Sequence, residues 1–234
     1  MIDAELRRAE EDLAQLRGGG GGSVAMGIAP GISLLVPAAM AVFRGKFPDA
    51  RVRIVEGVRT ALLAPLREEQ LDFVVAQHPG GPAEAGLRFR PLLRPALVVA
   101  GRRGHPLAHA RSLRELADAS WLVFNPPGAG GMLERAFRGA GLAPPRALVD
   151  CESYASALAL LARSDLLGLL FSTVLEQPFA TRFLQRFEIV EAIGSPSIGM
   201  FLRADTPLAP AASAMAQAMT TSVRALARAE RRPT

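Results

Sequence analysis

The chain has 234 residues, 50% of them hydrophobic, which supports one large or two modest cored domains and excludes a disordered chain. Its formal net charge is +5, yet the arginines are spread out. The densest group, Arg224, Arg228, Arg231 and Arg232, closes the C-terminus, where cations complement a helix dipole, so the charge is not read as a nucleic-acid footprint. Cys151 is the only cysteine, which excludes an intrachain disulfide and a cysteine-built zinc site. Met1 to Arg17 is charged throughout and lacks the apolar segment of a signal peptide, and no stretch is long and apolar enough to span a bilayer. A cytoplasmic protein with no membrane contact is expected.

Residues 1–17 place Ile2, Leu6, Ala9, Leu13 and Leu16 at alternating spacings of four and three, with charges in most of the gaps. This is a heptad seam on a helix, with Leu6, Leu13 and Leu16 as dimerisation candidates. The pattern alone fits a pairing helix and an amphipathic helix docked on its own domain equally well. Gly18 to Gly22 cannot hold a helix, so residues 18–22 read as a hinge before a body spanning 23–234. In that body Val24–Ala29 is a strand, broken by Pro30 and Gly31. Ser33 opens a helix over Leu34–Phe47, with Pro37 tolerable in its first turn. Arg51–Glu56 alternates as a second strand, Thr60–Glu69 is a helix that Pro65 would kink, and Leu71–Ala76 is a third strand. Strand, helix, strand, helix, strand argues for a parallel sheet with crossover helices.

After a loop over Pro79–Gly86 come an apolar strand, Leu97–Ala100, and a short capped helix, Ser112–Ala117. The order then returns. Trp121–Phe124 is a strand, Asn125–Gly131 a Pro/Gly loop, Leu133–Gly139 a helix, Ala147–Cys151 a strand, Ser153–Arg163 a helix and Leu166–Phe171 a buried strand. Ile189–Ala192 and Ile198–Leu202 read as later strands, and Ala209–Arg228 as a long closing helix. The fold class is therefore α/β, with two Rossmann-like lobes in tandem preceded by a short helix. Such lobes leave a cleft where ligands sit, at the carboxyl ends of strands and the amino ends of helices.

The order of motifs resembles the effector domain of LysR-type transcriptional regulators. Gly27 to Pro48 matches its opening, with Leu35-Val36-Pro37 and Phe47-Pro48; Gly57, Leu66 and Gln70 to Asp72 follow. The most specific match is His105-Pro106-Leu107-Ala108 with Ser112-Leu113 and Glu115-Leu116. Phe137, Gly141-Leu142 and Pro144 fit the next segment, and Leu158 to Leu170 the one after it. Arg163 to Leu167 depart from the small residues usual there, and Phe171 replaces a usual proline. The resemblance implies a type 2 periplasmic-binding-protein-like fold, with lobe I at about 23–96 plus 203–234, lobe II at about 97–202, and crossover strands joining them. It implies that residues 1–17 end a linker helix whose winged helix-turn-helix lies in a longer parent, so DNA would be met only through that missing head. It also implies a homodimer or tetramer and a small-molecule effector, expected to be an organic acid.

Helix N-termini carry unpaired N–H groups and partial positive charge, so the starts near Gly31, Thr60, Gly130 and Ser153 are expected to face the ligand. The expected contact set is Pro30, Gly31, Ile32, Arg59, Thr60, Gln77, Asn125, Pro126, Gly128, Gly130 and Ser153. Pro30 stands where many relatives have a hydroxyl residue, and Arg59 where they often have Ser or Thr. Arg59 could pair with a carboxylate through two hydrogen bonds or simply solvate a helix start. Ser153 could bond a ligand or only cap its helix. The glycines of the 125–131 loop admit close backbone approach, but the loop lacks the Gly-Lys-Ser/Thr ending of a phosphate loop. His78 reads as a loop histidine and His105 as a turn-fixing one. With His109 they show no ligand spacing, so no metal and no cofactor is expected. No convergent acid, base or nucleophile argues for an enzyme. A transporter's solute-binding protein would share the fold but should carry a secretion signal.

Overall fold

The computed structural model describes residues 21–78, 80–81, 84–124, 131–146 and 148–229, the last six by backbone alone. The expected linker helix with Leu6, Leu13 and Leu16, part of the hinge, and the loop residues Asn125, Pro126, Gly128 and Gly130 lie outside the described residues. The chain runs β1 (Ser23–Ile28), a 3-10 turn (Ser33–Leu35), α1 (Val36–Arg44), β2 (Arg51–Glu56), α2 (Arg59–Arg67), β3 (Phe73–His78) and β4 (Leu87–Leu93). Next come β5 (Leu97–Arg102), β6 (Trp121–Val123), α3 (Met132–Gly139), β7 (Leu148–Asp150), α4 (Tyr154–Arg163) and β8 (Leu167–Phe171). The short helices α5 (Ser172–Leu175) and α6 (Pro178–Thr181) lead to β9 (Leu184–Arg186), β10 (Ser197–Arg203) and the closing α7 (Pro210–Ala229).

Two compact units result: Met1–Arg94 with Pro196–Thr234, and Pro95–Ser195. The first holds a sheet of order β2-β1-β3-β10-β4, and the second a sheet of order β7-β6-β8-β5-β9. β1 pairs in parallel with β2 and β3, and β6 with β7 and β8, as the strand–helix alternation predicts. The sheets are nevertheless mixed, because β10 runs antiparallel to β3 and β4, and β5 runs antiparallel to β8 and β9. The expected lobe boundary at about 203 is corrected to 195/196. β10 hydrogen-bonds between β3 and β4, so residues 197–202 belong to the first lobe.

Apolar faces meet inside each unit. In the first, Met26, Ile28, Phe43, Leu62, Leu66, Phe73, Phe201 and Met215 are almost fully buried; in the second, Trp121, Phe137, Leu161, Leu167 and Phe187 are. Trp121 meets Phe137 edge-on at 5.5 Å, and its indole N–H donates to the Leu116 carbonyl at 3.1 Å, so its one polar atom is satisfied. Asp72 is buried at the entry to β3. Its Oδ2 accepts from the Ala25 amide at 2.7 Å, and its own amide donates to the Ala25 carbonyl at 2.7 Å, which extends the β1–β3 pairing by one step.

Helix α2 continues through Pro65. It ends with Glu69 in the left-handed region, at φ 61. Arg203, from β10, donates through Nη1 to the carbonyls of Leu66 at 2.9 Å and Leu71 at 2.7 Å, so the helix end is capped from the sheet. A side chain in the left-handed region carries a steric penalty that glycine escapes. Glu69→Gly is therefore expected to raise stability by about 0.5–1 kcal/mol, measured by urea denaturation.

The expected helix at Ser112–Ala117 is instead a run of turns. The Leu116 and Ala117 amides reach back only three residues, to Leu113 and Arg114. The Glu191 carboxylate, from a distant segment, accepts the Leu113 amide through both oxygens at 3.0 Å. Ser112 donates to Glu115 at 2.8 Å, and this bond, with the Arg111 amide, holds the Glu115 carboxyl below its ordinary pKa. The expected strand at Ile189–Ala192 is not a strand; Val190 is 81% exposed there. β4 and β9 were not expected.

Candidate functional site

In each unit the parallel strands end at one edge. Ser197 of β10 pairs with His78, the last residue of β3, so the chain enters the first sheet at its carboxyl edge. Leu97 of β5 pairs with Phe171, the last residue of β8, so it enters the second sheet in the same way. The carboxyl edge is where open α/β sheets place ligands, because crossover helices start there with amides unspent.

On the first unit's edge, β1 ends in Ile28 and the chain turns through Pro30 and Gly31. Gly31 has φ 79, a conformation glycine reaches without strain. The α-helix begins at Val36, later than expected, because residues 33–35 form a 3-10 turn. Ile32 follows as the residue that caps the start of the 3-10 turn. Its side chain is 1% exposed in the core, and its amide donates to the Ala29 carbonyl at 3.1 Å. Pro30 is half-buried.

The second turn on this edge is Gly57-Val58, whose Gly57 amide donates to the Ile28 carbonyl at 3.1 Å. Val58 gives α2 no side-chain cap, and Thr60 is exposed. Arg59 opens α2 and is ion-paired with Glu84. Arg67, at the other end of α2, reaches the second oxygen of Glu84 at 3.2 Å. Burial pushes the nearby Glu56 carboxyl above its ordinary pKa. Gln77 and His78 are the last residues of β3 rather than loop residues, and Gln77 is half-buried. The His78 ring lies 4.5 Å from Phe89 and 5.9 Å from Phe201, and its Nδ1 accepts from the Gly80 amide at 3.0 Å.

On the second unit's edge, α4 starts at Tyr154. Ser153 serves as its N-cap, with Oγ accepting from the Ser156 amide at 3.3 Å. The hydroxyl thus caps the helix through one lone pair and keeps its O–H donor. Gly131 precedes α3 without a side-chain cap. Phe124, just after β6, lies 5.4 Å from the Tyr154 ring, so an aromatic pair stands at this edge. Cys151 donates its Sγ–H to the Ser153 carbonyl at 3.2 Å.

Sequence reasoning missed Glu84, Arg67, Phe124 and Tyr154. The aromatic pair was within reach, since Phe124 ends a predicted strand and Tyr154 follows a predicted cap. Glu84 carried no local signal, being 25 residues from Arg59. His105 behaves as expected of a turn-fixing residue. It is 4% exposed, its Nδ1 accepts from the Leu107 amide at 3.0 Å, and its Nε2 lies 3.1 Å from the Asp165 carbonyl. Among the described residues, no group of three or more His, Cys, Asp or Glu side chains is placed to hold a metal, and no helix is long and apolar enough to cross a membrane.

Comparison with known proteins agrees with this architecture. Residues 17–224 match the LysR substrate binding domain family. The chain is 32% identical over 217 residues to the HTH-type transcriptional regulator GalR of Pseudomonas putida, covering 90% of the chain and 54% of that protein. It is 28% identical to the HTH-type transcriptional regulator GbpR of Azospirillum brasilense, covering 88% of the chain and 62% of that protein. The chain thus spans little more than half the length of these relatives. Among solved structures, the effector binding domain of QuiR in complex with shikimate superposes with a TM-score of 0.71 at 18% identity, covering 88% of this chain and 98% of that one. Full-length CbnR complexed with its target DNA superposes with a TM-score of 0.70 at 17% identity, covering 94% and 76%. These neighbours share the two-lobed, periplasmic-binding-protein-like α/β fold. With the family matched over most of its length, the chain belongs to the LysR substrate-binding domain family.

Proposed function

We propose that this chain is the ligand-sensing domain of a LysR-type bacterial transcriptional regulator. It binds a small organic anion, and binding shifts the population of states that governs DNA binding by the full-length protein. The observation that carries this reading is the repeated edge: in both units the chain enters at the carboxyl ends of the parallel strands, beside helix starts with few side-chain caps. The proposed contacts are drawn from Pro30, Gly31, Ile32, Arg59, Thr60, Gln77, Asn125, Pro126, Gly128, Gly130 and Ser153. Shikimate and benzoate, present in the QuiR and BenM effector-domain structures, are both carboxylates, which supports the anionic class. Family membership favours a regulator over a transporter's binding protein.

Self-association belongs to the same reading. Helix α1 leaves Pro37, Ala38, Ala41 and Val42 exposed, an apolar strip suited to a second copy. A thermal-shift screen of small aromatic and aliphatic acids tests the sensing role. At least one acid should raise the melting temperature by several degrees, and Arg59→Ala should weaken that response. If no anionic compound shifts the transition, the acid-sensing reading fails.

A further inference from the structure

Helix α2 holds a carboxylate between its two ends. Arg59, its first residue, contacts Glu84 Oε1; Arg67, its last, reaches Oε2 at 3.2 Å and the Ala85 carbonyl at 3.3 Å. The two guanidiniums thus take one oxygen each, which is the geometry of a carboxylate clamp. The occupant is supplied by the chain itself, from the segment between β3 and β4. Two cations face one anion in this cluster, and all three side chains are reached by solvent, at 21%, 42% and 30% exposure. Ion pairs this exposed are weak, with formation constants of only about 1–5, so a competing carboxylate can displace the partner. Arg59 itself stands at a carboxyl edge, where it follows β2 by three residues.

We infer that Glu84 is a built-in competitor. The Arg59–Arg67 clamp is a carboxylate site that a small organic carboxylate takes over from Glu84, and Glu84 sets how tightly that ligand is held. The inference rests on the reading of Arg59 as an anion contact and adds the occupant that an incoming anion must displace. A ligand that needs the Glu84-free state binds more weakly by the fraction of molecules in that state. Neutralising Glu84 should then tighten carboxylate binding by about two- to six-fold. A purely structural ion pair would predict no such gain.

The test uses benzoate as the carboxylate probe and benzamide as its neutral counterpart, read on the arginine Nε–H signals by 15N NMR. Benzoate should move the Arg59 and Arg67 signals of the wild-type chain while benzamide leaves them in place. Glu84→Gln should lower the apparent Kd for benzoate by the stated factor, and Arg59→Ala should abolish the response at Arg67. An unchanged or weaker affinity in Glu84→Gln overturns the inference, as do arginine signals that benzoate never moves. If carboxylates raise the melting temperature of the wild type and Glu84→Gln equally without touching these signals, the clamp fails and the anion-sensing reading stands. If no carboxylate shifts the melting temperature of either, both fail.

Discussion

Gly199→Ala is expected to destabilise the chain by about 3 kcal/mol, the upper part of the range for overpacking, and to lower the melting temperature by roughly 6–12 °C. A Cβ at this position would collide with the Arg90 carbonyl oxygen and with Cζ of Phe89. Neither neighbour can give way cheaply. The Arg90 oxygen is backbone of β4, paired there with β10 beside a register shift at Ile198/Gly199. The Phe89 ring is packed 4.8 Å from Phe201 and 4.5 Å from His78. Gly194→Ala is the control, since its Cβ would meet nothing within 4 Å. It should change stability by less than about 0.5 kcal/mol. Urea denaturation of both variants decides the matter; equal midpoints would show that β4 is not packed against β10 in this way.

The same region shows where sequence reasoning stopped. The parallel halves of both sheets were legible, because β1, β2 and β3 carry apolar or alternating runs separated by helical patterns of ordinary length. β4 was not. Arg88, Arg90 and Pro91 obscure its alternation, and proline speaks against a central strand. It lies instead at a sheet edge, where a missing N–H costs little. β9 has three residues, too few for a period to register. The return of β10 to the first sheet was hidden as well, because a strand's sequence does not state which sheet it completes. Ser112–Ala117 has a helix-start signature, yet the Glu191 carboxylate takes the Leu113 amide from 78 residues away. Local propensity yielded there to a partner that no local window contains.

The candidate site divides along the same line. Ser153 as a cap followed from its place before an apolar helical run, and the structure shows that bond. Gly31 as a turn residue followed from the breaker after β1. The burial of Ile32 was not legible, because position in a loop does not reveal which way a side chain turns. Arg59 was legible as a cation at a helix start, but its engagement by Glu84 was not. Long-range ion pairs leave no periodicity, and here that pair bears directly on what the helix start can bind.

His105→Ala is expected to cost about 2–4 kcal/mol, from lost packing plus two polar groups that lose their partner. The imidazole joins two segments that are 60 residues apart. Nδ1 accepts from the Leu107 amide at 3.0 Å, which requires the proton on Nε2, and that N–H then faces the Asp165 carbonyl at 3.1 Å. The ring also meets Phe187 edge-on at 5.3 Å. The side chain therefore ties the turn after β5 to the turn before β8, and Arg102 reinforces the same tie through Asp165 at 2.7 Å. His105→Asn separates the two contributions. Its side-chain oxygen can still accept an amide two residues on, but it is too short to reach Asp165. The Asn variant should recover about 1 kcal/mol relative to Ala. Hydrogen exchange at the Leu107 amide should be fast in Ala and slowed again in Asn. If Asn and Ala are equally destabilised with equal exchange at Leu107, the local bond contributes nothing and His105 acts through Asp165 and packing alone. Below their melting temperatures, both variants should keep the wild-type response to a carboxylate, because His105 sits at the far end of β5 from the edge where the chain enters its sheet.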